Sequence, residues 1–277
     1  TRENTGRAQR ERPTPKPEVN FGDVFPASVK KLGDGHFPDN KSKHVWLVAY
    51  VDQQGSAGSV NFAKELLSEI SLKLEQSMKV GGVICGGDKN KRTCARVKQK
   101  GRGPLFISVV VDGQEVFFEG KPWPSKPKPK ELYDFAVQNM PSDVVKDVNR
   151  ASDVVPKLLG GGRRRAVVLL TDKFDVSSMY LGLAYKHSKD AGRKLSFGVS
   201  RGSSLEIGRC MKAKKYPLVV MIEKDEGAEH GFKIVARAEG GKGAERLSRS
   251  RLEDWIERQY ANAKESCKSK SKKRRKR

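Results

Sequence analysis

The side chains with most chemistry to offer are four cysteines: Cys85, Cys94, Cys210 and Cys267. No two of them are spaced as CxxC, and His36, His44, His187 and His230 stand far apart. Structural zinc takes Cys and His ligands in close pairs, so no metal site is expected. Cys85 and Cys94, nine residues apart, admit three readings: a redox dithiol, a structural disulfide, or two buried thiols. A redox dithiol calls for an accessible thiol of low pKa, usually at a helix start. A second locus is the loop YVDQQGSAG, 50–58. It joins an apolar run, 45–51, to a helical pattern with Val60, Ala63, Leu66, Leu67 and Ile70 on one face. Such strand-to-helix loops often carry the chemistry of α/β proteins. This one holds a single acid, Asp52, and neither Cys nor His. Its polar atoms suit a binding loop or a helix cap, with Ser56 or Ser59 as the capping hydroxyl. The run GGGRRR, 160–165, lacks the GxxxxGK(S/T) arrangement and precedes a strand rather than following one. It reads as an interdomain hinge with a basic lip. Trp46, Trp123 and Trp255 read as core or cover residues, because no RNP-like aromatic pattern accompanies them.

The elements that must position these residues fall into two similar sets. Residues 1–20 are polar, Arg-rich and interrupted by Pro13, Pro15 and Pro17, an extended lead-in. Apolar runs predict strands at 44–51, 80–84 and 105–111, and a hairpin partner at 115–119 after a turn at Gly113. Helices are predicted at 60–76, 89–98 and 131–139, the last beyond a proline-spaced loop, WPSKPKPK. A second set begins with the strand RAVVLLT, 165–171. Helix 177–190 follows, with Met179, Leu183, Ala184 and His187 at helical spacing. Then come strand 195–199, helix 205–212, strands 218–222 and 232–236, and helix 252–263. Both sets run strand, helix, strand, helix, strand, strand, helix. This is an internal repeat with little residue identity. Parallel strands joined by helices and followed by a hairpin make a mixed sheet covered by helices. The expected organisation is a lead-in at 1–20, domains at 21–142 and 164–263 with a linker at 143–163, and a basic disordered end at 264–277.

The element order is that of the thioredoxin fold, and two stretches carry a closer likeness. VGGVICGGDKNKRTCARVKQKGRGPLFISVVVDG, 80–113, resembles the thioredoxin modules of protein disulfide isomerases. RRAVVLLTDKFDVSSMYLGLAYKHSKDAGRKLSFGVSRGSS, 164–204, with KKYPLVVMIE, 214–223, looks like the second such module of J-domain/thioredoxin co-chaperones of the secretory pathway. The resemblance implies an α/β chain of two tandem thioredoxin-like domains. It places Cys85 and Cys94 on that family's extra cysteine pair, which favours a structural disulfide. It puts Pro104 near a cis-proline position and Tyr216–Pro217 on another. In the disulfide isomerases the first loop carries the CxxC; here the corresponding positions are Gln54 and Ala57. The second loop, TDKFDVSSM, 171–179, has no cysteine either. Without a thiolate there is no nucleophile for disulfide exchange at either loop. The groove between loop and cis-proline can still hold an extended peptide by β-augmentation. The contact residues so implied are Gln54, Ser56, Ala57, Gly103 and Pro104 in the first module, and Tyr216 and Pro217 in the second. No cofactor is implied.

The chain carries a formal charge of +23, and eight basic residues fall within KSKSKKRRKR, 268–277. Lys268, Lys270, Lys272, Lys273, Arg274, Arg275, Lys276 and Arg277 would bind polyanions without sequence preference. No apolar run approaches the roughly 20 residues of a membrane span. The chain begins at Thr1 and shows no signal peptide; an upstream segment, with a J domain if there is one, is expected to have been removed or left out. Two function classes follow. The first is a redox-inactive module of a J-domain/thioredoxin co-chaperone that binds polypeptide clients or scaffolds chaperones in the endoplasmic reticulum lumen. The second is a polyanion-binding or assembly scaffold (RNA, ribosome, axoneme) in the nucleus or cytoplasm, using the fold passively. A disulfide isomerase acting through Cys85 and Cys94 is the least supported.

Overall fold

The computed structural model describes residues 20–53, 57–86, 90–98, 103–119, 127–190, 195–201, 206–239 and 247–274. The first half comprises α1 (Phe21–Val24), β1 (Lys30–Lys31), β2 (Trp46–Asp52), α2 (Ala57–Leu74), β3 (Lys79–Cys85), α3 (Lys91–Lys98), β4 (Leu105–Val111), β5 (Gln114–Phe117) and α4 (Pro129–Gln138). The second comprises β6 (Val145–Asp147), α5 (Ala151–Leu158), β7 (Arg165–Thr171), α6 (Ser178–Ser188), β8 (Leu195–Arg201), α7 (Glu206–Cys210), β9 (Leu218–Lys224), β10 (Phe232–Glu239) and α8 (Arg249–Arg274).

Each half builds a five-stranded mixed sheet, ordered β1-β3-β2-β4-β5 and β6-β8-β7-β9-β10. In both, the edge strand and the central strand run parallel to the strand between them, and the hairpin joins the central strand antiparallel. The two halves are one topology used twice, that of two tandem thioredoxin-like domains. The repeat is fuller than the sequence suggests, because each half opens with an edge strand ahead of its central strand.

The central strands are apolar throughout because both their faces are covered. Alternate residues of β2 point opposite ways. Leu47, Ala49 and Val51 meet Ala63, Leu67 and Ile70 of α2, while Val48 and Tyr50 meet Cys94 and Val97 of α3. The second sheet repeats the arrangement. Val167 and Leu169 face α6 and α8, while Ala166, Val168 and Leu170 face α5 and α7. Each fully buried large aliphatic side chain contributes about 1.5–3 kcal/mol relative to exposure.

Two expectations need correction. Residues 143–163, read as a linker, hold β6 and α5, and β6 pairs with β8 through Val145↔Phe197. Arg163 to Arg165 therefore lead from α5 into β7 within the second sheet, and GGGRRR is not an interdomain hinge; Gly161 and Gly162 take positive φ in that turn. Helix α8 leads into the basic end of the chain, with 268–274 on its last turns.

The halves meet through α6, which is buried nearly all round: Tyr180, Leu181, Leu183, Ala184 and Tyr185 have 7% or less of their surface exposed. One side faces its own sheet and the other meets the α2–β3 turn of the first half. A Cβ on Gly182 would lie 1.9 Å from the Ser77 carbonyl oxygen, so only glycine lets the backbones approach this closely. Around that contact Ser77 and Ser178 hydroxyls are 2.7 Å apart, and the Tyr185 hydroxyl donates to Asp112 at 2.7 Å. Lys189 pairs with the same carboxylate. A single apolar cluster runs through the junction, from Val24 and Leu47 in one half to Leu252 and Ile256 in the other.

Candidate functional site

The first candidate site lies where β2 gives way to α2. Gln54 and Ser56 lie outside the described residues, and Ala57 opens α2. Ser59 is the third residue of that helix and buried, which removes it as an N-cap. The end of β2 is held from two sides. The Asp52 amide donates to the Pro104 carbonyl at 3.0 Å, and the Gln53 amide to the Cys85 carbonyl at 2.6 Å. The structure thus brings Pro104, just ahead of β4, against the end of β2, near which the resemblance places a cis-proline. It differs in one respect. Among the described residues Tyr216–Pro217 is the cis peptide bond, and Gly103–Pro104 is not cis. The antiparallel partner β4 reaches β2 from Val51↔Leu105 onward without it.

Cys85 and Cys94 form a disulfide, with Cα atoms 5.7 Å apart. Cys85 closes β3 opposite Asp52 in the parallel register, and Cys94 lies in the first half of α3. Both sulfurs sit in the small core of Tyr50, Val83 and Val97, 9% and 4% exposed. The bridge therefore pins α3 to the sheet beside the end of β2. Asp34 supports the same helix by accepting from the amides of Thr93 at 2.8 Å and Arg92 at 3.2 Å. Cys210 is a free thiol, and burial, aided by the Glu206 and Glu229 carboxylates, pushes its pKa up. It sits at the end of α7 rather than at a helix start, the reverse of what activates a thiol.

The second candidate site is described in full. β7 ends at Thr171, whose hydroxyl accepts from the Lys173 amide at 3.1 Å. The loop 172–177 then closes on Ser177, whose Oγ caps α6 by accepting from the Tyr180 amide at 3.3 Å. Leu170 pairs with Leu218, so the loop and Tyr216–Pro217 flank the same end of the sheet. Tyr216 is half-buried against the core beneath it, and Pro217 is exposed. Phe174, in the middle of the loop, is 87% exposed. Its place in the polar run TDKFDVSS is visible in the sequence, but nothing there says that no core receives it. No cysteine stands in this loop; the arrangement offers surface, backbone donors and acceptors, and an aromatic ring.

The basic residues Lys268, Lys270, Lys272, Lys273 and Arg274 fall on the last turns of α8, while Arg275, Lys276 and Arg277 lie outside the described residues. The two loop sites and the basic end are three separate places in the fold. No helix among the described residues is long and apolar enough to cross a membrane.

No protein-family model matches this chain, and no curated protein matches it. Solved structures do. ERdj5 in its crystal form I is 16% identical with a TM-score of 0.45, covering 85% of this chain and 30% of that one. Zinc-bound human ERp44 is 14% identical with a TM-score of 0.33, covering 83% of this chain and 59% of that one. The first two thioredoxin domains of Naumovozyma dairenensis Eps1p are 12% identical with a TM-score of 0.33, covering 83% of this chain and 97% of that one. This chain thus spans under a third of ERdj5. The strand order described above, rather than these likenesses, carries the fold assignment.

Proposed function

We propose that this chain is a redox-silent pair of thioredoxin-like domains that binds extended polypeptide segments, working within a J-domain/thioredoxin co-chaperone of the endoplasmic reticulum lumen. The observation that carries the reading is the second loop: a cis-proline segment facing a strand-to-helix loop that holds an exposed phenylalanine where a catalytic module holds cysteines. The buried Cys85–Cys94 bridge supports an oxidising compartment. Backbone groups beside the cis-proline can pair with a partner strand, and this mode of binding requires no thiol.

One assay separates binder from reductase. Insulin treated with dithiothreitol precipitates after a lag; a reductase shortens that lag, and a polypeptide binder lengthens it. The expected outcome is a longer lag that deepens with protein concentration. A shortened lag abolished by Cys85→Ser would instead make the chain an oxidoreductase. A second reading, polyanion binding, draws on the basic end of the chain and its +23 charge.

A further inference from the structure

We propose that the second domain's loop site selects polypeptide segments that are acidic and carry a large apolar side chain. This rests on the polypeptide-binding reading and adds the chemistry of the ligand. The apolar half of the argument is Phe174. A ring 87% exposed gains nothing from its own fold. It stands on the loop that shares a sheet end with the exposed Pro217 and the half-buried Tyr216. Aromatic side chains on such a rim are the usual anchors of an interface.

The acidic half comes from the other wall. The segment 209–217, RCMKAKKYP, carries Arg209, Lys212, Lys214 and Lys215 and no acid. All four cations are exposed, and none takes part in an ion pair among the described residues. The Phe174 loop is different, with Asp172 and Asp175 around Lys173. A bound strand is therefore asymmetric. Its acidic residues lie toward 212–215, and its apolar residue points across to Phe174, where extra carboxylates would be repelled. Charge also excludes the nearest competitors. The chain's own 268–277 end is basic, and a second copy carries the same +23 surplus. Both are disfavoured by like-charge repulsion against this wall.

The test uses the full chain and three fluorescein-labelled 12-residue peptides, each with a central Leu-Phe pair, flanked by Glu/Asp, by Ser/Gly or by Lys/Arg. Fluorescence anisotropy is read over a salt series. The acidic peptide should bind about tenfold more tightly than the neutral one at low salt, with the gap closing as salt rises. Phe174→Ser should weaken both acidic and neutral peptides by about tenfold and leave the thermal melt unchanged. Lys214→Glu with Lys215→Glu should erase the gap while keeping the neutral affinity. If neutral and acidic peptides bind equally and through Phe174, the charge selection is wrong and the polypeptide-binding reading stands. If none of the three binds, both fall. If the acidic peptide binds regardless of Phe174→Ser, the charge acts from the basic end of the chain, and the assignment to this loop is overturned.

Discussion

Removing the Cys85–Cys94 bridge asks how much one covalent bond supports. It closes a loop of about ten residues between β3 and α3 and lies buried on both sides. Cys85→Ser with Cys94→Ser should lower stability by about 2–4 kcal/mol, read as a shift in the urea midpoint with an unchanged slope. A midpoint that does not move would mean that packing around Tyr50 and Val97 holds α3 alone. His44 sets a second expectation. It lies at the junction of the halves, its Nδ1 3.5 Å from the Arg249 guanidinium. Burial, reinforced by the charges of Arg249, Lys79 and Lys186 and opposed by Glu253, lowers its pKa to about 4 from an ordinary 6.5. Below pH 6.5 the unfolded chain takes up a proton that the folded chain refuses, so stability falls with pH until about 4. The loss is on the order of 1–2 kcal/mol, because solvent reaches part of the ring. His44→Gln should flatten the pH dependence of Tm across that window; an unchanged slope would assign the effect to other groups.

At the scale of elements, helix α8 separates two roles along its length. Leu252 and Ile256 are buried, and Arg249 and Lys186 both reach Glu253 near its start, at 3.4 and 3.0 Å. Its far end carries the basic run. A chain ending at Ser266 should therefore keep its Tm while losing heparin affinity and most of its salt slope, since each phosphate neutralised releases counterions. A drop of several degrees in Tm would show that the far turns are docked. Which elements were legible in the sequence follows from their physics. β2, β4, β7 and β9 are apolar runs buried on two faces, and α2 shows its stripe of Ala63, Leu66, Leu67 and Ile70. β1 and β6 are two and three residues long, too short to show a period. α5 carries Pro156 inside it, the usual mark of a helix break, so its sequence does not declare a helix. Tyr216–Pro217 and the cysteine pair were legible by resemblance. Phe174 and the His44–Arg249–Glu253 cluster were not, because exposure and contact between distant segments are properties of the fold.

For the whole molecule the decisive fact is that the two halves share an apolar cluster rather than a linker. Each sheet has an inner core of its own, yet α6 is buried against both, and Ser77, Asp112 and Tyr133 of the first half bond to Ser178 and Tyr185 of the second. Neither half can unfold without exposing apolar surface of the other, so one cooperative transition is expected. Trp46 and Trp255 lie in different halves, so in a Trp123→Phe background the Trp255→Phe and Trp46→Phe variants each leave a single reporter in one of them. Their urea midpoints should coincide with each other and with the far-UV signal. Gly182→Val places a branched side chain where a Cβ already meets the Ser77 carbonyl oxygen, and no rotamer relieves an overlap at the Cβ itself. The junction must open, at a cost of about 1–3 kcal/mol or more, and the two reporters should then separate. Midpoints that already differ in the parent chain would show that the shared cluster does not couple the halves. Midpoints that stay together in Gly182→Val, with no loss of stability, would show that the close approach at Ser77 is not what joins them.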